Sequence, residues 1–342
     1  MNLCNNLKLI YQVASRYKLP IESIRTFCLL RLNLGKKTYF FKSAALPLNA
    51  GAAAEICRNK KDSKILYEEL GYPTLKFITL TKDNWKKGSL AKKLTNLNYP
   101  LVAKPAHGTS RGKDVLCNIK DEKTLIHYLQ DAFEIYPEIL IEEFISHLNE
   151  YRVTVFNNKV VGVVARLCSF IQGDGIHTVK ELVELDNVKR IELGKTITYS
   201  PIDIDKYALL CLEEQGLTPD SIPENLQKVR MGYAANTGRG GDFYSMGTAI
   251  HPENAKKLIE ITKDICIKTV GYDILCDDIL KPFSEQEWLI IEGNCSSDLT
   301  IHEIPHQGIK TPIIKQYLKH LIKKHPISYA KYVLAHLFKK SH

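Results

Sequence analysis

Two carboxylates and a carboxamide in the C-terminal third have the types and spacing of cation ligands. Residues 288–291 form an apolar run that ends at Glu292 and Asn294. Because residues i and i+2 of a strand point to the same face, these two side chains would project together. Asp273 lies in a second apolar run, and the polar, Pro-containing connection between the runs predicts a hairpin that brings Asp273 beside Glu292. Such oxygen ligands suit Mg²⁺, with Mn²⁺ as an alternative. The other interpretation is a half-buried strand pair whose acids are solvated.

A cationic loop follows another short apolar run. Lys104 ends that run, Pro105 stops it, and residues 107–113 then supply two glycines, two hydroxyls and two cations. A loop of this composition can fold over phosphate oxygens with its backbone N–H groups and its point charges. The alternative is a plain surface turn.

A third cluster combines an apolar strand with acids. Residues 139–145 carry Glu142 and Glu143 within an apolar sequence, and Glu150 follows a few positions later. The strand could bind an adenine edge through its backbone, and the Glu150 carboxylate could bind a ribose. Taken alone, Glu150 also fits a solvated loop acid.

These clusters must be positioned by a mixture of strands and helices without a regular βαβ alternation, which favours an α+β fold. Apolar periodicity and stop signals set the bounds of the predicted elements. The predicted helices are 62–70, 121–132, 179–188, 205–215 and 253–270, and the predicted strands are 101–104, 139–144 and 152–164, the last interrupted by a turn at 157–158.

Composition excludes several classes of protein. The nine cysteines are scattered without a C-x-x-C pair, which argues against zinc and against a disulfide framework and favours a cytoplasmic location. No apolar stretch reaches the ~20 residues of a membrane span. Of the net charge of +9, eight lysines lie in residues 304–342, which contain no Asp or Glu. Since the remainder is nearly neutral, we expect no specific nucleic-acid binding.

The clusters occur in an order that resembles the ATP-grasp superfamily, and more specifically the ATP-grasp module of cyanophycin synthetases and bifunctional glutathione synthetases. The resemblance covers about residues 59–308. The segments that carry it are Asn59-Lys60, Ser63-Lys64, Leu70-Gly71-Tyr72-Pro73, Val102-Ala103-Lys104-Pro105, Glu142-Glu143-Phe144, Glu150-Tyr151-Arg152, Arg166, Gly173-Asp174-Gly175-Ile176-His177, Ala235-Asn236-Thr237-Gly238-Arg239-Gly240-Gly241, His251-Pro252-Glu253-Asn254, Gly271-Tyr272-Asp273, Ile291-Glu292-Gly293-Asn294 and His302.

The resemblance implies an ATP-grasp fold in which two α+β subdomains clamp ATP and Mg²⁺. Asp273, Glu292 and Asn294 would hold the metal between the phosphates, and the loop after Lys104 would close over them. The nucleotide-binding residues that it implies are Lys60, Lys104, Gly108, Ser110, Gly112, Glu142, Phe144, Ile145 and Glu150.

The resemblance also implies a reaction, the ATP-dependent ligation of a carboxylate to an amine through an acyl phosphate. Arg230 and Lys104 would contact the transferring phosphate, whereas Arg152 and Arg166 fit either a substrate carboxylate or structural ion pairs. The substrates would be small molecules or peptides. Two alternative functions remain: transfer of phosphate to a small molecule without ligation, and ATP binding without turnover. The chain could also form a homo-oligomer. Gly293, where relatives carry a branched apolar residue, leaves the substrate undefined.

We predict three parts in the chain: a segment before the ATP-grasp unit at 1–57, the ATP-grasp domain at 58–312 with a lid subdomain at about 98–145, and a basic helical tail at 313–342. The apolar residues of the first tail helix recur at i, i+3 and i+4, which indicates packing on the domain. The lysines of the tail are either simply solvated or meet an acidic partner protein, an anionic membrane face or a polyanionic acceptor.

Overall fold

The computed structural model of the protein describes residues 3–24, 28–107, 109, 112–197 and 199–338. The helices are α1 (Asn5–Arg16), α2 (Gly51–Arg58), α3 (Lys60–Glu69), α4 (Lys82–Lys86), α5 (Leu90–Leu94), α6 (Glu122–Ile135), α7 (Val179–Gly194), α8 (Lys206–Glu213), α9 (Pro252–Asp264), α10 (Thr300–Glu303), α11 (Ile313–Lys324) and α12 (Pro326–Phe338). Within the ranges described, no helix has both the length and the apolar character needed to cross a bilayer.

Fifteen strands in the same ranges form four sheets. The strands are β1 (Ile21–Ile24), β2 (Leu29–Leu34), β3 (Lys37–Lys42), β4 (Phe77–Thr81), β5 (Leu101–Pro105), β6 (Leu116–Ile119), β7 (Glu138–Glu143), β8 (Asn149–Phe156), β9 (Lys159–Leu167), β10 (Phe170–Gln172), β11 (Lys228–Arg230), β12 (Asp242–Gly247), β13 (Thr269–Cys276), β14 (Trp288–Asn294) and β15 (Gly308–Ile309).

The largest sheet has six strands in the order β14-β13-β8-β9-β12-β15. Its neighbours are antiparallel except for β12 and β15 at one edge. Asn157 and Asn158 join β8 to β9 with positive φ values of 46° and 61°, the conformation of a two-residue hairpin turn. The predicted strand pair with its interruption at 157–158 is therefore confirmed.

A second, four-stranded sheet has the order β4-β7-β5-β6, and α6 covers one of its faces. Buried residues from both layers form its core, among them Leu101, Ile139 and Leu129. Two separate α+β layers thus stand on either side of a cleft, which confirms the predicted α+β class. The sheet begins with β4, ahead of the predicted lid boundary at 98, and the division into three parts stays a prediction.

The three-stranded sheet β1-β2-β3 packs with α1 and α11 around one hydrophobic core. The buried side chains of α11 are Ile313, Ile314, Tyr317, Leu318 and Leu321. The helical spacing predicted these five and Ile322, which is only partly buried against the same core. They meet Leu7 and Ile10 of α1 and residues of the six-stranded sheet in the same cluster. The helices α1 and α11, from opposite ends of the described chain, therefore share a core.

The prediction of a single helix over 253–270 is wrong at its C-terminal end. The helix α9 ends at Asp264, and β13 begins at Thr269. Cys266 adopts a left-handed φ of 55°, which stops the helix before the apolar pattern does. The residues from Thr269 to Val270 therefore pair in a strand, and this lengthens β13 on the N-terminal side of Asp273.

Candidate active site

One cleft of about 860 Å³ lies between the two larger sheets and collects most of the side chains that the sequence singled out. The predicted residues that line it are Lys60, Lys104, Gly112, Glu142, Phe144, Ile145, Glu150, Arg230, Asp273, Glu292 and Asn294. Gly108 and Ser110 lie outside the described residues. Arg152 and Arg166 line the same cleft. Residues separated by more than two hundred positions in the chain therefore face a common space.

The predicted hairpin of β13 and β14 is present. Asp273 pairs directly with Glu292 in its antiparallel register, and a bulge follows between Asp273 and Ile274. The amide nitrogen of Asn294 lies 2.9 Å from Glu292 Oε1 and 3.3 Å from Asp273 Oδ2. Two carboxylates and one amide thus converge, as the spacing predicted. Within the described ranges no cluster of three or more His, Cys, Asp or Glu side chains has the arrangement of a metal site.

Asp273 is also the centre of a buried ion network. Arg152 binds it through two nitrogens, with Nη2 at 2.8 Å from Oδ2, and Arg166 Nη1 lies 3.0 Å from the same oxygen. Burial raises the pKa of Asp273, but the two guanidinium groups more than offset burial and hold that pKa below its usual value. Arg152 also donates to the Ser297 hydroxyl at 2.8 Å. Both arginines therefore form ion pairs within the site, one of the two roles the sequence left open.

A buried row of three charges lies on the opposite wall. Lys104 forms an ion pair with Glu142, and Lys64 reaches the other oxygen of Glu142 at 3.0 Å. Burial alone would raise the pKa of Glu142 and lower that of Lys104. The attraction between the opposite charges outweighs burial, so the pKa of Glu142 lies below its usual value and that of Lys104 lies above it. Glu142 lines the cleft as predicted, but its carboxylate forms ion pairs with the two lysines. Lys64 was not singled out as a site residue, since its partner lies 78 positions away.

Lys60 is positioned by the start of α3. Asn59 caps that helix, and its side-chain oxygen accepts from the backbone N–H groups of Lys61 and Asp62. Lys60 therefore occupies the first turn and lines the cleft. Burial lowers its pKa, while the charge of Glu292 acts in the opposite direction. Lys60, Lys104, Glu292 and Asn294 all line the same cleft, and the charge of Glu292 acts to raise the pKa of both lysines.

The end of β7 and the start of β8 supply the remaining predicted nucleotide contacts. Phe144 packs its ring edge-on against Tyr233, with the ring centroids 5.3 Å apart. Glu150 accepts from Arg166 at 2.7 Å, so it is held in an ion pair and is not a solvated loop acid. Burial raises the pKa of Glu150 to about 7, although Arg166 lowers it. This carboxyl therefore changes charge near neutral pH.

Arg230 reaches the cleft from β11, the short strand of the segment between β9 and β12. Its guanidinium lies over the Tyr233 ring, 4.7 Å from the centroid, which fixes its direction. Gly112 has a positive φ of 67° and approaches the side chains of Arg239 and Asn236. The loop after Lys104 thus ends beside the same segment that carries Arg230.

His302 lies beneath the six-stranded sheet as a buried side chain. Its Nε2 is 2.9 Å from Thr154 Oγ1, and burial lowers the pKa of His302 to about 3. At neutral pH the imidazole is uncharged. It does not line the cleft that holds the other predicted residues. The arrangement is that of a packing and hydrogen-bonding residue.

Comparisons with known proteins find one matching family model and several similar proteins. Residues 66–182 match the family described as the D-Ala D-Ala ligase C-terminus. The chain is 28% identical to the cyanophycin synthetase of Crocosphaera subtropica over 265 residues, which cover 75% of this chain and 29% of that one. It is 30% identical to the glutathione biosynthesis bifunctional protein of Mannheimia succiniciproducens over 193 residues, covering 56% of this chain and 25% of that one. The chain thus spans less than a third of either relative.

The fold has a solved counterpart. The bifunctional glutathione synthetase of Pasteurella multocida superposes with a TM-score of 0.63 and 22% identity, over 94% of this chain and 44% of that one. At this identity the likeness establishes the fold.

Proposed function

We propose that the chain, which is similar to cyanophycin synthetases and bifunctional glutathione synthetases and shares the fold of a solved glutathione synthetase, is an ATP-grasp protein and an ATP-dependent carboxylate–amine ligase. It forms an amide or peptide bond through an acyl phosphate and releases ADP and phosphate. The substrates are a small-molecule or peptide carboxylate and an amine.

A single observation carries this proposal: two cationic side chains, Lys60 and Lys104, face the acid–amide group of Glu292 and Asn294 across one cleft. Phosphoryl transfer demands mainly that charge on the transferring group be neutralised in a fixed geometry. The lysines supply that charge directly. The opposite wall offers oxygen atoms, which attract cations, so the two walls together fit a nucleotide phosphate chain with its metal.

The residues present fit a hard divalent cation. Glu292 is half-buried and is bridged by the Asn294 amide, whereas in the described chain it forms no ion pair with Lys or Arg. Asp273 is already compensated by Arg152 and Arg166. Glu292 and Asn294 would therefore hold Mg²⁺ most directly, with Asp273 behind them. When bound, the cation adds positive charge at the phosphates.

In the reaction we propose, a substrate carboxylate oxygen attacks the γ-phosphorus of ATP and displaces ADP. Lys60, Lys104 and Arg230 hold the phosphate oxygens and counter their charge. The adenine lies against Phe144 and Ile145 at the end of β7, and the loop that contains Gly112 covers the phosphates. The amine then attacks the acyl carbon, an amide forms and phosphate leaves.

Arg230 takes the transferring phosphate in this proposal because it stands apart from the buried pairs. Among the cleft-lining arginines discussed above, Arg152 and Arg166 are saturated by carboxylates. Arg230 is exposed, its guanidinium lies over the Tyr233 ring, and its side-chain hydrogen bonds go to Tyr233 and Cys168, neither of which is a carboxylate. Its charge is therefore available to a ligand.

The test is a screen of ADP release from the full chain with ATP and Mg²⁺ over amino acids and short peptides. A ligase releases ADP in quantity only when both a carboxylate and an amine are present, and mass spectrometry finds a product lighter than the sum of the substrates by one water. ADP release with one acceptor and a phosphorylated product would identify a phosphotransferase. ATP binding without ADP release under any combination would identify a binding module.

A further inference from the structure

The helix α12 exposes an apolar stripe that no described part of the chain covers. Ile327, Ala330 and Leu334 are exposed at spacings of three and four residues, with Ile327 71% and Leu334 53% accessible. The opposite side of the helix is anchored. Tyr329 donates from its hydroxyl to the backbone oxygen of Tyr17 at 3.0 Å. The stripe is therefore held outward on a fixed helix.

The anchoring brings several lysines to the rim of this stripe. Ser328 packs against Gly35, so the exposed residues Lys36 of the turn and Lys37 of β3 lie beside the start of α12. Lys323 and Lys324 end the preceding helix, and Lys331 lies within α12. We call this surface the α12 face, defined as Ile327, Ala330 and Leu334 with Lys36, Lys37, Lys323, Lys324 and Lys331.

The charge of this region is predominantly positive, although Glu22 of β1 lies in the same three-stranded sheet and pairs with Arg31. The elements α1, β2, β3, α11 and α12 together contain ten Lys and Arg and no Asp or Glu. In the part of the chain that the structure describes, Arg31 is the one member of this set found in an ion pair. The lysines around the apolar stripe have no carboxylate partner in the described chain. A surface with negative charge therefore complements this region.

We propose that the α12 face docks on an anionic lipid bilayer, with the apolar stripe entering the headgroup boundary and the lysines contacting lipid phosphates. A helix that presents an apolar face rimmed by lysines binds in this way, with a strength set by apolar area and by lipid charge. A bilayer is favoured over an acidic protein because the stripe consists of three side chains along one helix and the lysines around it come from separate elements. This inference is independent of the ligase reaction.

The experiment is co-sedimentation of the full chain with vesicles of phosphatidylglycerol and phosphatidylcholine in equal parts, and with pure phosphatidylcholine. We expect binding to the anionic vesicles only, and its loss at high salt. Ile327→Glu with Leu334→Glu should abolish binding. Lys323→Gln with Lys324→Gln should weaken it roughly thirtyfold.

A matched control lies on α7. Leu185 and Val188 are 54% and 69% exposed, close to the values for Leu334 and Ile327, and Leu185→Glu with Val188→Glu should leave vesicle binding unchanged. Circular dichroism of each variant checks that it is folded. Absence of binding to anionic vesicles at low salt overturns the proposal, and so does an equal loss in the control. A further test uses soluble polyglutamate as a competitor. If polyglutamate displaces the vesicles completely, and if it binds the wild type and the variant with Ile327→Glu and Leu334→Glu equally well, the lysines recognise an acidic polymer or protein. That result also overturns the bilayer proposal.

Discussion

Asp273 lies directly opposite Glu292 in the pairing of β13 with β14, yet the two carboxylates have different surroundings. Asp273 is enclosed by two guanidinium groups. Glu292 faces the cleft. Among the described side chains, its hydrogen-bond partner is the amide of Asn294 alone. One member of the pair is thus fixed by the protein, and the other is left for a ligand.

The first prediction concerns Glu292. Glu292→Gln removes a negative charge while keeping the shape of the side chain, so we expect a loss of ATP turnover of about a hundredfold or more, with little change in thermal stability. Turnover is measured as ADP release, and the fold by thermal unfolding. Glu285→Gln, at an exposed position on the connection before β14, is the matched control and should keep full activity. Near-normal turnover in Glu292→Gln would remove this residue from the site.

The second prediction concerns Lys104. The row of Lys64, Glu142 and Lys104 carries one net positive charge, and Lys104→Met reduces it to zero while Glu142 keeps Lys64 as its partner. We therefore expect a folded protein that binds ATP about tenfold more weakly or worse, measured by calorimetry. The control is Lys61→Met, which removes a half-exposed lysine paired with Glu138 away from the cleft. Equal ATP affinity in the two variants would contradict the assignment of Lys104 to the phosphates.

The third prediction concerns the pH dependence of stability. The pKa of Glu150 is raised from 4.5 to about 7 in the folded chain, so the native state binds the proton more tightly than the unfolded state. Between these values the contribution of Glu150 to the free energy of unfolding falls as pH rises. Glu150→Gln should remove this fall, a difference on the order of 1–3 kcal/mol across the window. Urea unfolding at several pH values measures it, and parallel profiles for the variant and the wild type would show that Glu150 does not titrate there.

The fourth prediction concerns Gly293 and Tyr67. The Tyr67 hydroxyl is buried without a hydrogen-bond partner among the described atoms, and a Cβ on Gly293 would meet it in hard contact. Gly293→Ala should therefore destabilise the fold by about 1–3 kcal/mol. Tyr67→Phe alone should cost little, because the lost hydroxyl is unsatisfied, and it should relieve part of the Gly293→Ala effect. A double-mutant cycle of unfolding free energies measures the coupling, and strictly additive effects would show that the two positions do not interact.

The parts of the site that the sequence predicts are those encoded by short spacing. The Glu292 and Asn294 pair follows from the two-residue period of a strand, and the turn at Asn157 and Asn158 from residues that tolerate positive φ. Both are confirmed. The family resemblance supplies the positions of Lys60 and Lys104, and both side chains do face the cleft.

The parts that the sequence does not predict depend on distant partners. Arg152 and Arg166 are ambiguous from sequence, since their shared carboxylate is more than a hundred positions away. Lys64 has the same difficulty with Glu142. The end of α9 is missed for a local reason: Cys266 takes a left-handed conformation that its residue type does not signal.

The shared core of α1, β2 and α11 bears on the order in which the chain folds. Leu7 and Leu30 are synthesised about three hundred residues before their packing partners Ile314 and Leu318. During synthesis this apolar surface stays unpacked, because contacts between residues so far apart in the sequence form slowly. The apolar faces of α1 and β2 therefore stay exposed until α11 has been synthesised, which makes this segment a target for chaperone binding during synthesis.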